Sequence, residues 1–204
     1  MPDFHLLLSI FAIFLAWKWG DWRNWKPYYP TILFLIIGDL SYIRLSSDKP
    51  LWQYESSIFK GDFVELLIAI IIYPCTCFIY FALHSKLRKS KMLGNSRRLI
   101  LFFLFSASIY TIFELLSFKL GFFSYHNGWN IYWSFAFNCI MFPLLLLHYK
   151  KPLWAWPLSV IFAFLIIHIF DLPFTIMKYI LVYASGFILF YSFKEAHSEC
   201  SILD

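Results

Sequence analysis

Two carboxylates lie where a carboxylate is costly: Asp39 in LIIGDLSY and Glu114 in YTIFELLSF, both inside long apolar runs. A charged group in the middle of a membrane span costs at least about 2.5 to 3.5 kcal/mol on insertion scales, so it faces protein, water or a partner rather than lipid. Two kinds of chemistry suit such a pair: general acid or base work on a lipid, or a change of protonation in a carrier of protons, ions or a small solute.

Helical spacing supplies neighbours for both acids. Ser106, Tyr110 and Glu114 follow one another at intervals of four, with Ser117 one turn on, and Glu65, Ala69, Ile72 and Thr76 make a second small or polar stripe. The segment SYHNGWN, residues 124 to 130, precedes the run that carries Asn138 about two turns further along. The expectation is a polar cluster of Asp39, Glu65, Tyr110, Glu114 and Asn138 lining a cleft open to the outside, with Glu114, Asp39 and His126 as the candidate catalytic groups. The competing expectation is plain helix joining, since polar residues in bundles often hydrogen-bond across helices for about 0.6 kcal/mol each. Glu114, His126, His168 and Asp171 include ligand types for a divalent metal, but no two of them have a recognised ligand spacing. No P-loop, Gly-rich nucleotide motif or Ser-His-Asp signature stands out, so no cofactor is expected.

The elements that must position these residues follow from composition. Of 204 residues, 61% are apolar, 23% aromatic and only 14% charged, against about 25% charged in soluble domains. Crossing about 30 Å of hydrocarbon takes roughly 20 helical residues, and apolar runs near that length recur along the chain without the alternation of a β-barrel. The expected fold is therefore all-α: one integral membrane domain over residues 1 to 204, a polytopic helical bundle of six or seven spans. The candidate spans are residues 4–19, 28–45, 63–83, 99–118, 131–149, 153–170 and 174–193. The first has no basic segment before it and no small-residue cleavage site after it, so it reads as a retained helix. Pro74 and Pro143 fall inside spans, where each removes a backbone hydrogen bond and can kink its helix.

Lysine and arginine set the orientation, because short cytoplasmic loops are enriched in them. The loop HSKLRKSKMLGNSRR, residues 84 to 98, holds six; with it inside, twelve basic residues fall inside against five outside. Seven spans then put the N-terminus outside and the C-terminus inside, and six would move only the C-terminus. In the same frame WKWGDWRNWKPYYP, residues 17 to 30, is the first cytoplasmic turn. Its Trp17, Trp19, Trp22, Trp25, Tyr28 and Tyr29 form a belt at headgroup level, with Pro27 and Pro30 interrupting the helix. The net charge of +5 suits anionic lipid headgroups rather than nucleic acid, because the cations cluster beside apolar runs. Cys75, Cys77 and Cys139 lie in those runs and read as inert buried thiols, with Cys200 in the tail.

The blocks WKWGDWRNWKPYYPTILFLIIGDLSY, IIYP and SYHNGWNIYWSFAFNCIMFPLLLLHYKKPLWAW together resemble a family of small multi-pass membrane proteins from Gram-positive spore-forming bacteria. The resemblance covers approximately residues 5 to 157 and is most specific at GDW, YYPT and YHNGWN. It implies a bacterial cytoplasmic membrane and brings no catalytic or binding residue with it. The expected function is non-enzymatic: an accessory, sensor or scaffold protein with a protein partner or a second copy of itself. A carrier, or a lipid-modifying enzyme using Asp39 and Glu114, is the alternative.

Overall fold

The computed structural model describes residues 4–173 apart from 57 and 60; the seventh apolar run, 174–193, with Lys178, lies outside the described residues. The chain is mostly helical. Helix α1 (Phe4–Trp19) leads through a short 3-10 turn (Trp22–Asn24) into α2 (Tyr29–Leu45) and strand β1 (Trp52–Tyr54). Next, α3 (Gly61–Leu67), a π-helical turn (Ile68–Ile72) and α4 (Tyr73–Lys89) run on as one helix. Helix α5 (Ser96–Lys119), strand β2 (Phe123–Tyr125), α6 (Ile131–Lys150) and α7 (Pro152–Ile169) complete the order. Four helices are long and apolar enough to cross a membrane: Phe63–Lys89, Ser96–Lys119, Ile131–Lys150 and Pro152–Ile169. At 16 and 17 residues, α1 and α2 are shorter.

Two elements depart from an all-helical expectation. The first is the π turn, in which the Tyr73 N–H donates to the Ile68 carbonyl five residues back. Pro74 follows directly and has no N–H to give. Its ring would crowd the carbonyl four residues earlier in a regular α-helix, and the wider turn relieves that. The second is a two-stranded antiparallel sheet pairing Trp52 with Tyr125, Gln53 with Ser124 and Tyr54 with Phe123. It brings the α2–α3 and α5–α6 connections together at one end of the bundle.

That end is fastened by side chains. The Tyr42 hydroxyl accepts from the Leu51 and Trp52 N–H groups at 2.9 and 3.0 Å and donates to the Trp52 carbonyl at 3.2 Å, while its ring stacks on Trp52 with centroids 3.6 Å apart. Lys49 Nζ donates to the carbonyls of Phe170 and Asp171, both at 2.9 Å, just beyond the end of α7. In the turn before α6, Asn127 and Gly128 take φ of 51° and 88°, a left-handed conformation that asparagine and glycine tolerate best. Asn130 then caps α6 by accepting from the N–H groups of Tyr132 and Trp133. The YHNGWN block is thus a turn and helix start.

At the opposite end the aromatic turn divides. Trp17, Trp19, Trp22 and Trp25 are exposed, from 37% to 66%, and Lys18 and Arg23 lie over the rings of Trp19 and Trp22. Tyr29 is half-buried and stands edge-on to Trp25. Tyr28 is a correction to the expected belt. It is 5% exposed, stacks on Phe81 at 5.0 Å and donates to Asp21 at 2.8 Å, because a ring with a partner for its hydroxyl is more stable packed than at the surface. Gly20 makes this turn possible: a Cβ there would meet the Ala16 carbonyl of α1 at 2.6 Å and Phe78 of α4 at 3.1 Å, so a side chain would force the chain out of its path at the end of α1. Between the two ends, Ile32, Phe34, Tyr80, Phe81, Phe102, Met141, Phe142 and Leu145 form the main core where α2, α4, α5 and α6 meet. The Tyr80 hydroxyl donates at 2.9 Å to the Phe142 carbonyl, on the peptide that leads into Pro143.

Candidate functional site

Each of the two acids in the apolar runs is held by a tyrosine. Tyr73, the first residue of α4, donates its hydroxyl to Asp39 Oδ1 at 2.7 Å. Tyr125, the last residue of β2, donates to Glu114 Oε1 at 2.7 Å. Ser134 also hydrogen-bonds Glu114 and accepts the Trp129 indole N–H at 2.8 Å. A carboxyl group supplied with donors in this way avoids the full cost of burial beside lipid.

Of the five residues expected to share a cleft, Tyr110, Glu114 and Asn138 line one cavity, and Asp39 and Glu65 do not. Tyr54 of β1 lies within electrostatic reach of Asp39, Tyr110, Glu114 and Glu65, and burial together with those groups pushes its phenol well above the ordinary range. Burial, then Glu114, moves Tyr125 in the same direction, so both remain neutral hydroxyls at physiological pH. Tyr110 hydrogen-bonds Thr76, which ties the two predicted stripes together. Asn138 is 3% exposed and donates to Thr111 Oγ1 at 3.1 Å. Ser106 bonds back to its own helix, at the Phe102 carbonyl 2.9 Å away.

Beside this cluster lies a cavity of about 370 Å³. Helices α1, α4, α5 and α6 wall it with mostly apolar side chains, and Trp52, Tyr54 and Phe123 of the sheet close its end. Glu114, Ser117, Ser134 and Asn138 supply polar groups to the wall. The Ser117 hydroxyl is buried with no hydrogen-bond partner among the described residues. Along one side, Phe11 of α1 and Phe105 and Ile109 of α5 line the cavity while remaining 40% to 56% exposed. Helix α1 packs chiefly on α4 and its π turn, and α5 chiefly on α6, leaving the rings of Phe11 and Phe113 to face each other at 6.3 Å.

Three expected residues stand elsewhere. His126 is exposed and pairs with Ser124 Oγ at 2.8 Å, and Ser124 in turn donates to Glu55 at 2.9 Å; it does not line the cavity with Glu114. The turn that puts Trp129 inside leaves His126 outside. His168 is exposed as well, and the Asp171 side chain is fully exposed, 4.0 Å from Lys49 Nζ. The metal set of Glu114, His126, His168 and Asp171 is therefore not gathered, and among the described residues no three His, Cys, Asp or Glu side chains converge as a metal site.

Tyr54, Tyr73, Tyr125, Trp129 and Ser134 are the residues that spacing alone missed. Their one signal is chemical: a tyrosine or tryptophan inside or beside an apolar run carries a polar hydrogen that needs an acceptor when buried. No family model, curated protein or solved structure matches the chain.

Proposed function

We propose that the protein is a non-enzymatic accessory or sensor protein of a bacterial cytoplasmic membrane that holds a lipid-like molecule in the cavity beside Glu114. The carrying observation is the cavity itself: about 370 Å³, mostly apolar, with a carboxyl group and an unpartnered hydroxyl on its wall. Small-molecule sites have this size and this mixture of apolar lining and a few placed polar groups. The partly exposed side between α1 and α5 supports entry from the bilayer, with an apolar chain against Phe11, Phe105 and Ile109 and a polar group toward Glu114 and Ser117. In this reading the sheet end faces outward and the basic loop inward, with the N-terminus outside.

Catalysis has less support: His126 points away, Asp39 is not on the cavity wall, and His5, which lines the cavity, is tied through Nε2 to the Phe122 carbonyl at 2.8 Å. A proton-linked carrier is the second reading. The hydroxyl-bearing groups between the two acids, Tyr73, Tyr54 and Tyr110, favour it.

Lipid extraction from the purified wild type and from Ser106→Phe, which fills part of the cavity, tests the first reading. A species bound near one per chain in the wild type and depleted in the variant is expected. Equal lipid content in both, with both folded, removes the cavity as a binding site.

A further inference from the structure

A second site lies at the opposite end of the bundle and concerns charge rather than apolar volume. His84, Ser85, Arg88 and Lys89 of α4 and Lys150 of α6 line a pocket of about 420 Å³, with the Tyr149 ring on its wall. Among the described residues, no aspartate or glutamate lines it. The nearby Asp21 carboxylate is engaged by the Tyr28 hydroxyl at 2.8 Å. The charges acting on His84 are those of Lys150 and Arg88, and the charge acting on Lys150 is that of Arg88. Cations from two helices thus face one another across a concavity and repel.

Cations in the last turn of a helix ordinarily complement its dipole, and α4 and α6 both end here, at Lys89 and Lys150. That role needs no convergence between helices, and it leaves the mutual repulsion unrelieved. An anion in the pocket relieves it. Guanidinium forks and ammonium groups, together with a serine hydroxyl and an imidazole, match a phosphate, which accepts several charge-assisted hydrogen bonds at once.

We propose that this pocket binds a phosphate group, and that the phosphate is the headgroup of an anionic lipid. The location favours the lipid source: α4 and α6 belong to two of the four membrane-length helices, so the pocket stands at headgroup depth, where basic pockets between helices hold such groups. The site is separate from the Glu114 cavity and does not depend on it.

The test titrates the full chain in uncharged detergent with phosphatidylglycerol, phosphatidylcholine and inorganic phosphate, read by native mass spectrometry. Phosphatidylglycerol is expected to bind at least roughly ten-fold more tightly than phosphatidylcholine, and R88Q/K150Q to lose roughly five-fold for each charge removed. R97Q/R98Q, in the same basic loop but outside the pocket, is expected to bind as the wild type does. Competition by millimolar inorganic phosphate supports the site with phosphate alone sufficient; resistance to it, with phosphatidylglycerol retained, supports the lipid as the source. No preference between the two lipids, or equal losses in both double variants, overturns the proposal. Thermal unfolding supplies the control for folding. R88Q/K150Q without lipid should melt no lower than the wild type, since it removes repulsion, and a lower melting temperature assigns the two cations a structural role instead.

Discussion

Tyr73 and Tyr125 donate hydrogen bonds from their hydroxyls to Asp39 and Glu114, each at 2.7 Å, and this pairing is what lets two acids stand inside apolar helices. Hydrogen bonds to a charged partner contribute about 1.5 to 3 kcal/mol, and to a neutral one about 0.5 to 1.5. Tyr125→Phe and Glu114→Gln are each expected to lower stability by about 1 to 3 kcal/mol. Their combination should cost clearly less than the sum, because both remove one interaction. Denaturant titration of the four proteins in micelles measures the coupling, and additive effects would show that the hydrogen bond contributes nothing. At this scale the acids were legible in the sequence because a carboxylate in an apolar run is conspicuous. Their partners were not, because a tyrosine beside Pro74 or in a short loop looks like any membrane aromatic. His126 stands outside for a related reason: a place in SYHNGWN says nothing about which residues of a tight turn point inward.

Helices are read from apolar runs, and each of the first six candidate spans coincides with a helix within about three residues at its start, α4 alone running well past its expected end. The π turn and the sheet left no comparable trace. One extra residue in a turn changes no composition, and WQY pairing with FSY is too short for a period of two to stand out. Glycines provide the sharpest test at this scale, since Gly20 and Gly38 differ in surroundings and hardly at all in sequence signal. Gly20→Ala forces a Cβ into the Ala16 carbonyl and Phe78 and is expected to destabilise by about 1 to 3 kcal/mol. Gly38 lies within α2, and a Cβ there would meet nothing within 4 Å, so Gly38→Ala should stabilise by about 0.5 to 1 kcal/mol. Melting temperatures moving in opposite directions bear out the crowding at the end of α1 around Gly20; the same direction in both contradicts it.

For the whole molecule, the two ends carry different chemistry. The sheet end gathers Tyr54, Glu114 and Trp129 over an apolar cavity, and the other end gathers Arg88, Lys89 and Lys150 around an open basic pocket. Orientation with the basic end in the cytoplasm predicts that a membrane-impermeant thiol reagent labels Asn127→Cys in intact cells and reaches Met92→Cys only after permeabilisation; the reverse pattern inverts the protein. Class and basic asymmetry were plain from composition and charge. A cleft was expected from the polar stripes, but its opening between α1 and α5 was not, because that depends on how far the two helices stand apart, a distance that no local pattern encodes. Its occupancy is the central claim, and native mass spectrometry of the gently solubilised wild type beside Glu114→Gln and R88Q/K150Q tests it most directly. A lipid-like adduct that the wild type and R88Q/K150Q both retain, and that Glu114→Gln binds at least about ten-fold more weakly, is the expected result. Identical adducts on the wild type and Glu114→Gln, or none on either, would contradict a ligand site at Glu114 and leave that residue a structural one.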